Sequence, residues 1–329
     1  MTSYELDVAT IRGEAVESRH RVHAAVVDPR GTLIGRAGDH TLVTHWRSCA
    51  KPFQAMAFLR HGRPDALGWG DDELALACAS HGGEPEHVAI ATAMLASLGL
   101  EEGDLACGPH TPLSSRGARI LKEADQPATR LHNNCSGKHA AMLALAKGCH
   151  WSILGYHEPE HPVQQAALAM VAEWAGVPPA SIPFGVDGCS VVTFALPLER
   201  MALAFARLAD AARHDEEPAA RLTSAMATRP FLVGGTDRFD TVLMEETDGA
   251  VIAKVGAEGV HTVALVDRPV AFALKVEDGA MRAQHPAVLR LLQWLEVLPE
   301  ELPPRLEPFA RAPVHNTRGD LVGEVRCLR

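Results

Sequence analysis

Ser48 and Lys51 stand three residues apart in the stretch Thr44–Pro52, T-H-W-R-S-C-A-K-P. On a helix that spacing sets a hydroxyl and an amine on one face, close enough to touch. Pro52 says where on the helix they sit, because a proline is tolerated in the first turn, where backbone amides have no intrahelical partner. Ser48 is therefore expected at the helix mouth, where unpaired amides and the helix dipole favour a developing negative charge. A hydroxyl becomes a useful nucleophile when a neighbouring base removes its proton, and a neutral lysine can be that base. With 12 serines and 6 lysines in 329 residues, chance supplies about 0.2 Ser-x-x-Lys matches. The alternative for these four residues is an ordinary N-cap serine followed by a solvated lysine.

Arginines number 25 against 6 lysines, and a lysine kept in such a background calls for a reason, since it can give up its proton and arginine cannot. Three of the six, Lys51, Lys138 and Lys254, fall inside polar clusters. Ser80, in Ser80-His81-Gly82-Gly83, reads as a second active-site hydroxyl or as a serine in a glycine-rich cap. Lys254 lies in an apolar A-K-V-G stretch, either snorkelling or pointing into a cleft where it holds a hydroxyl. Asp187, between a valine and a glycine, suits a turn or a contact with an α-amino group. Cys135, Cys149 and Cys189 can converge with His132 or His139, yet no C-x-x-C pair is present, and spacing alone favours buried apolar cysteines. A cysteine nucleophile stays open as well, with Cys49 beside Ser48 and His139 one turn after Cys135.

The elements that must position these residues follow from periodicity and turn chemistry. Arg21–Val27 and Thr32–Arg36 around Asp28-Pro-Arg-Gly31 predict a hairpin. The Ser48 helix buries Phe53, Met56, Ala57 and Leu59. Further helices are expected over Asp71–Ala79, closed by a left-handed glycine cap at Gly82-Gly83, and over Glu84–Leu100. Cys107–Gly117 is loop. A polar mouth then leads into an apolar helix within Leu131–Lys147, followed by a helix over His161–Ala175. A tight turn enters a strand within Phe184–Val192, and Leu198–Ala212 is helical. Ala250–Gly256 is a strand, and Val260–Val266 with Val270–Val276 form a hairpin. Pro286–Leu298 is a helix and Gly319–Cys327 a last strand. Strands at both ends with helices between predict an α+β fold, an antiparallel sheet built from both chain ends with an inserted helical lobe. The chain 1–329 is expected to form one catalytic domain, with a sheet lobe from roughly 1–45 and 250–329 and a mainly helical lobe from roughly 46–249.

A hydrophobic content of 47% with 22% charged residues is that of an ordinary globular protein. The formal charge of −10 and the lack of a basic block argue against a nucleic-acid or membrane-surface partner. No apolar run reaches spanning length, no signal peptide is expected, and seven scattered cysteines fit reduced thiols in the cytoplasm.

Arg47-Ser-Cys-Ala-Lys51-Pro, Ser80-His-Gly-Gly83, His132-Asn-Asn-Cys-Ser-Gly-Lys-His139 and Val186-Asp-Gly-Cys189 resemble, in order, the motifs of the rhizobial-type L-asparaginases, the asparaginase II family. The resemblance runs from about residue 8 to residue 327. It implies a fold like that of serine β-lactamases and glutaminases, and hydrolysis of the side-chain amide of L-asparagine. Ser48 with Lys51 and Ser80 with Lys254 would then be two neighbouring Ser–Lys pairs. Zinc would be held by Cys135, Lys138 and Cys189, which replaces the reading of inert cysteines. Asp187 would take the substrate ammonium, Arg47 or Asn134 its carboxylate or amide, and His139 would also line the substrate site. A homodimer is a further implication. Rival readings are a glutaminase or another amide or β-lactam hydrolase on the same scaffold, and a non-catalytic zinc-binding relative.

Overall fold

The strands that build the sheets carry their apolar residues on both faces. Val22–Val27, Val260–Leu265 and nearly all of Val270–Val276 are buried end to end, as expected for β-branched runs covered on two sides. In the computed structural model, which describes residues 2–328, they are the centre of a six-stranded sheet. Its order is Thr2–Tyr4, Leu33–Ala37, Val22–Val27, Val270–Val276, Val260–Leu265 and Val251–Val255. Only the Thr2–Tyr4 pairing with Leu33–Ala37 is parallel among the described strands of this sheet. Ala24 faces Leu274 and Ala25 faces Ala273, so segments far apart in sequence meet at the middle of the sheet. A second, four-stranded sheet runs Ala312–His315, Leu321–Cys327, Val8–Arg12 and Ala15–His20, all antiparallel, and again joins the two chain ends.

Two compact units divide the chain. The first holds the residues up to Cys49, Leu196–Asp210 and Val242 onward, and contains both of these sheets. The second holds Ala50–Ala195 and Ala211–Thr241 and is mainly helical. In it the Lys51–His61, Asp71–Cys78 and Ser136–Gly148 helices pack on one another. Ser136–Gly148 is buried from Ser136 through Ala146, on every face, which makes it a central rather than a surface helix. Lys51–His61 carries Pro52 in its first turn and stops at Gly62, whose amide donates to Phe58 O at 2.6 Å.

The α+β class and the sheet drawn from both chain ends are as the sequence predicts. Several elements differ. The Asp71–Cys78 helix ends on Ala79 in extended conformation (φ −73°, ψ 151°), so Gly82-Gly83 does not cap it. The expected turn-and-strand at Phe184–Val192 is a hairpin of Phe184–Val186 with a strand starting at Val192, turned by Asp187–Ser190. The Val8–Arg12 and Ala15–His20 strands and the Ala219–Thr228 and Phe239–Glu246 helices were not expected. The Ala15–His20 strand, A-V-E-S-R-H, is mostly exposed and more polar than apolar, and so shows no apolar alternation. Among the described residues no helix is long and apolar enough to cross a membrane.

Candidate active site

Ser48 lies in a single 3-10 turn, Arg47–Ala50, that leads directly into the helix begun by Lys51. Arg47 enters that turn with φ 53°, a left-handed conformation that is costly for a residue with a Cβ and that gathers at functional sites. Cys49 is buried, and its thiol donates to the backbone oxygen of Lys254 at 2.9 Å. The turn carrying Ser48 is thereby fastened to the Val251–Val255 strand that carries Lys254. Lys254 is fully buried and its Nζ donates to Val255 O at 3.0 Å.

Within the helical unit, Lys51 is 1% exposed. Its Nζ donates to Ser80 Oγ at 3.1 Å, to Asn134 O at 3.3 Å and to Ala79 O. Lys51 therefore bridges the end of the Asp71–Cys78 helix and the entry to the Ser136–Gly148 helix. Those helices come this close because residue 137 has no side chain: a Cβ there would sit 2.6 Å from Leu76 Cγ and 2.7 Å from its carbonyl carbon. His81 adds a second tie. Its Nδ1 accepts from Gly83 N at 3.1 Å, so its Nε2–H donates to Ser136 Oγ at 2.9 Å. Burial holds the His81 pKa well below the usual imidazole value, and the ring stays neutral. Behind this loop the fully buried carboxylate of Glu84 accepts from Thr236 N and Oγ1, both at 2.7 Å, and from Arg116 at 2.6 Å. Burial alone would raise the Glu84 pKa, but these bonds outweigh it and hold the value below the usual carboxylate range.

One turn along the Ser136–Gly148 helix, Lys138 Nζ lies 2.9 Å from Cys189 Sγ. The Cys135 thiol is within hydrogen-bonding reach of that same sulfur and of Asn134 Oδ1, at 3.2 Å from the latter. The hydrogen bond from Cys135 and the Lys138 ammonium lower the Cys189 pKa to about 4 against the effect of burial, so Cys189 is a thiolate. Cys135, donating to that thiolate and buried, is pushed up to about 12 and keeps its proton. Burial opposes charge on Lys138, but the two sulfurs hold its pKa above the usual lysine value. The group is an ammonium–thiolate pair with a thiol as its third member. Asp187 closes the hairpin turn just before Cys189, its Oδ1 accepting from Gly188 N at 2.7 Å, and its charge acts on Lys138.

Two soft sulfurs and an amine brought into mutual contact are a donor set that would suit a zinc ion. Among the described residues no group of three or more His, Cys, Asp or Glu side chains is placed to hold a metal, so a site here needs Lys138. His139 is fully buried beside them, its Nδ1 2.6 Å from the hydroxyl of Tyr156. Tyr156 escaped the sequence reading. Its one signal was rarity, as one of two tyrosines in the chain.

The family model for L-asparaginase II matches residues 8–327. The chain belongs to the L-asparaginase II family. No curated protein matches the sequence. Solved structures similar to the chain include the protein titled Mglu in its native form, at 15% identity and TM-score 0.46, covering 83% of this chain and 63% of that one. A Bacillus glutaminase crystallised with 4.3 M NaCl matches at 14% identity and TM-score 0.37, over 84% and 91% of the two chains. A β-lactamase from Mycobacterium bovis matches at 11% identity and TM-score 0.36, over 84% and 96%. The chain thus spans less than two thirds of the length of Mglu. All three scores fall below 0.5, and the family assignment rests on the near-full-length match alone.

Proposed function

We propose that this member of the family hydrolyses the side-chain amide of L-asparagine to L-aspartate and ammonia as a single catalytic domain, with Ser48 as nucleophile and Lys51 as its base. The observation that carries the reading is the placement of Lys51: a buried amine in the first helical turn after Ser48, bonded to the Ser80 hydroxyl. In the first step Lys51 Nζ takes the Ser48 hydroxyl proton as Oγ bonds to the amide carbon. Backbone amides at the helix mouth stabilise the oxyanion. The C–N bond then breaks, the proton returns from Lys51 to the leaving nitrogen, and ammonia departs from an acyl-serine. Water attacks that ester and gives a proton to Lys51, which passes it to Ser48 Oγ as the acyl C–O bond breaks and aspartate is released. Ser80 and Lys254 relay protons around the lysine. Asp187 pairs with the substrate ammonium, and Arg47 and Asn134 take its carboxylate or amide.

Cys135, Cys189 and Lys138 would hold zinc, Lys138 as the neutral amine. When bound, zinc would anchor and polarise a substrate oxygen. The chain's own part is to keep a thiolate ready at Cys189 and to fix Cys135 and Lys138 one turn apart on a buried helix.

Ammonia release from asparagine and from glutamine, measured side by side on the wild type and on Ser48→Ala, tests the reading. Wild type should turn over asparagine in preference. Ser48→Ala should lose at least about a thousandfold in kcat with an unchanged melting temperature. Retention of most activity by Ser48→Ala would remove Ser48 as the nucleophile.

A further inference from the structure

Tyr156 is buried and its hydroxyl makes two polar contacts: the backbone N–H of Ala106 lies 2.9 Å away and His139 Nδ1 lies 2.6 Å away. An amide can only donate, so Ala106 occupies one lone pair of the hydroxyl oxygen. The phenolic proton then needs an acceptor, and among the described residues His139 Nδ1 is the one within reach. Nδ1 is thus without a proton, and the hydrogen of the neutral imidazole sits on Nε2. That Nε2 is fully buried and has no hydrogen-bond partner among the described residues. Buried donors left unmade are rare in native proteins and call for an explanation. Lys51 and Lys138 are near enough for their charges to act on His139, so the orphan donor lies in the region of the proposed chemistry.

We infer that Tyr156 is a positioning residue that fixes His139 as its Nε2–H tautomer, so that this donor meets an oxygen acceptor, carboxylate or amide, of the bound amino-acid amide. The inference rests on the reading given under Proposed function for the identity of the ligand, and on geometry alone for the tautomer. Burial holds the phenol above its ordinary pKa, so it remains a donor across the working range. Protein labelled with nitrogen-15 in its imidazoles provides a readout that needs no substrate. The His139 resonances are assigned by their disappearance in His139→Gln, and wild type should show a bare Nδ1 and a protonated Nε2.

In Tyr156→Phe that single tautomer should be lost, with KM for asparagine rising about tenfold and kcat staying within about threefold. The terminal amide of His139→Gln reaches the Nε2 position and that of His139→Asn the Nδ1 position, so Gln should keep the lower KM of the two. Should Tyr156→Phe fail to fold, the wild-type tautomer and the two His139 variants decide. A protonated Nδ1 in wild type overturns the inference. So does an unchanged KM in Tyr156→Phe, a fall in its kcat at constant KM, or equal KM values for the Gln and Asn variants. A wild type that releases no ammonia from asparagine refutes the functional reading instead, and the tautomer measurement then judges Tyr156 by itself.

Discussion

Replacing Gly137 by alanine adds one methyl group at the closest approach of two helices, and the structure says how much must move. The new Cβ would lie 2.6 Å from Leu76 Cγ and 2.7 Å from the Leu76 carbonyl carbon, where ordinary contact begins at 3.4 Å. The obstruction includes backbone, so no rotamer change relieves it, and the helices must part by about 0.8 Å. Alanine is the better helix former by about 1 kcal/mol, and overpacking of this kind costs about 1–3 kcal/mol. A net loss of up to about 2 kcal/mol follows, a fall in Tm of up to about 5 °C for a chain of this size. Activity should suffer more. Lys51 Nζ holds Ser80 Oγ at 3.1 Å on one side of the gap and Asn134 O at 3.3 Å on the other, and it cannot keep both when the gap widens. A displacement near 1 Å costs on the order of 100-fold in rate when it falls on reacting groups, so kcat should drop by about 10- to 100-fold. Gly148→Ala is the control. Its Cβ would meet Gly62 O at 2.5 Å, a similar clash at the other end of the same helix, about 16 Å away at the helical rise per residue. It should lower Tm comparably and leave kcat within about threefold. Full kcat in Gly137→Ala, or equal loss of kcat in both variants, would refute the link between helix spacing and the position of Lys51.

Two further outcomes are expected. Glu84→Gln removes a buried, hydrogen-bonded charge and should cost about 2 kcal/mol near pH 7. The folded-state pKa of Glu84 is depressed, so its contribution is present above the unfolded carboxylate value and is lost as pH falls through the folded one. The gap in Tm between wild type and Glu84→Gln should therefore close as pH falls below the ordinary carboxylate range, and a constant gap would show that the charge is not what stabilises the loop. Zinc bound after purification without chelator should approach one per chain in wild type and fall to about a tenth in Cys135→Ala, Cys189→Ala and Lys138→Arg, the last because arginine offers no neutral amine. A metal-free wild type in elemental analysis would count against the proposed site.

Much of the fold was legible because its central strands and helices are apolar in a way that spacing reveals. The hairpin from Val22 to Ala37 and the Val260–Val276 pair carry turn residues between β-branched runs. What stayed hidden has a physical cause. Ala15–His20, A-V-E-S-R-H, pairs through its backbone to Val8–Arg12 and needs no apolar face to do so. The glycines after Ser80 read as a helix cap because glycine is the usual left-handed residue. Gly82 instead makes room, since a Cβ there would come within 2.8 Å of Ser114 Cβ. The motif residues were legible as chemistry, but their partners were not. Nothing local to Tyr156 or Glu84 announces a contact made 17 residues away with His139 or 152 residues away with Thr236.

The lysines show how far a composition argument reaches. Lys51, Lys138 and Lys254 are 1%, 3% and 0% exposed in a chain that prefers arginine about four to one. Burial alone does not separate them from structural lysines: Lys275 is 9% exposed and simply donates to Glu258 O and Val276 O, and Lys147 donates to Leu98 O. The partner does. Carbonyl oxygens can only accept, so a lysine facing carbonyls alone has nothing with which to exchange a proton. Lys51 also faces the hydroxyl of Ser80, and Lys138 faces the sulfur of Cys189. Both partners are able to carry a proton and give it up. In the proposed roles, lysine rather than arginine is needed at both places for the same reason: each amine would have to pass through its neutral form, once as a base and once as a metal ligand.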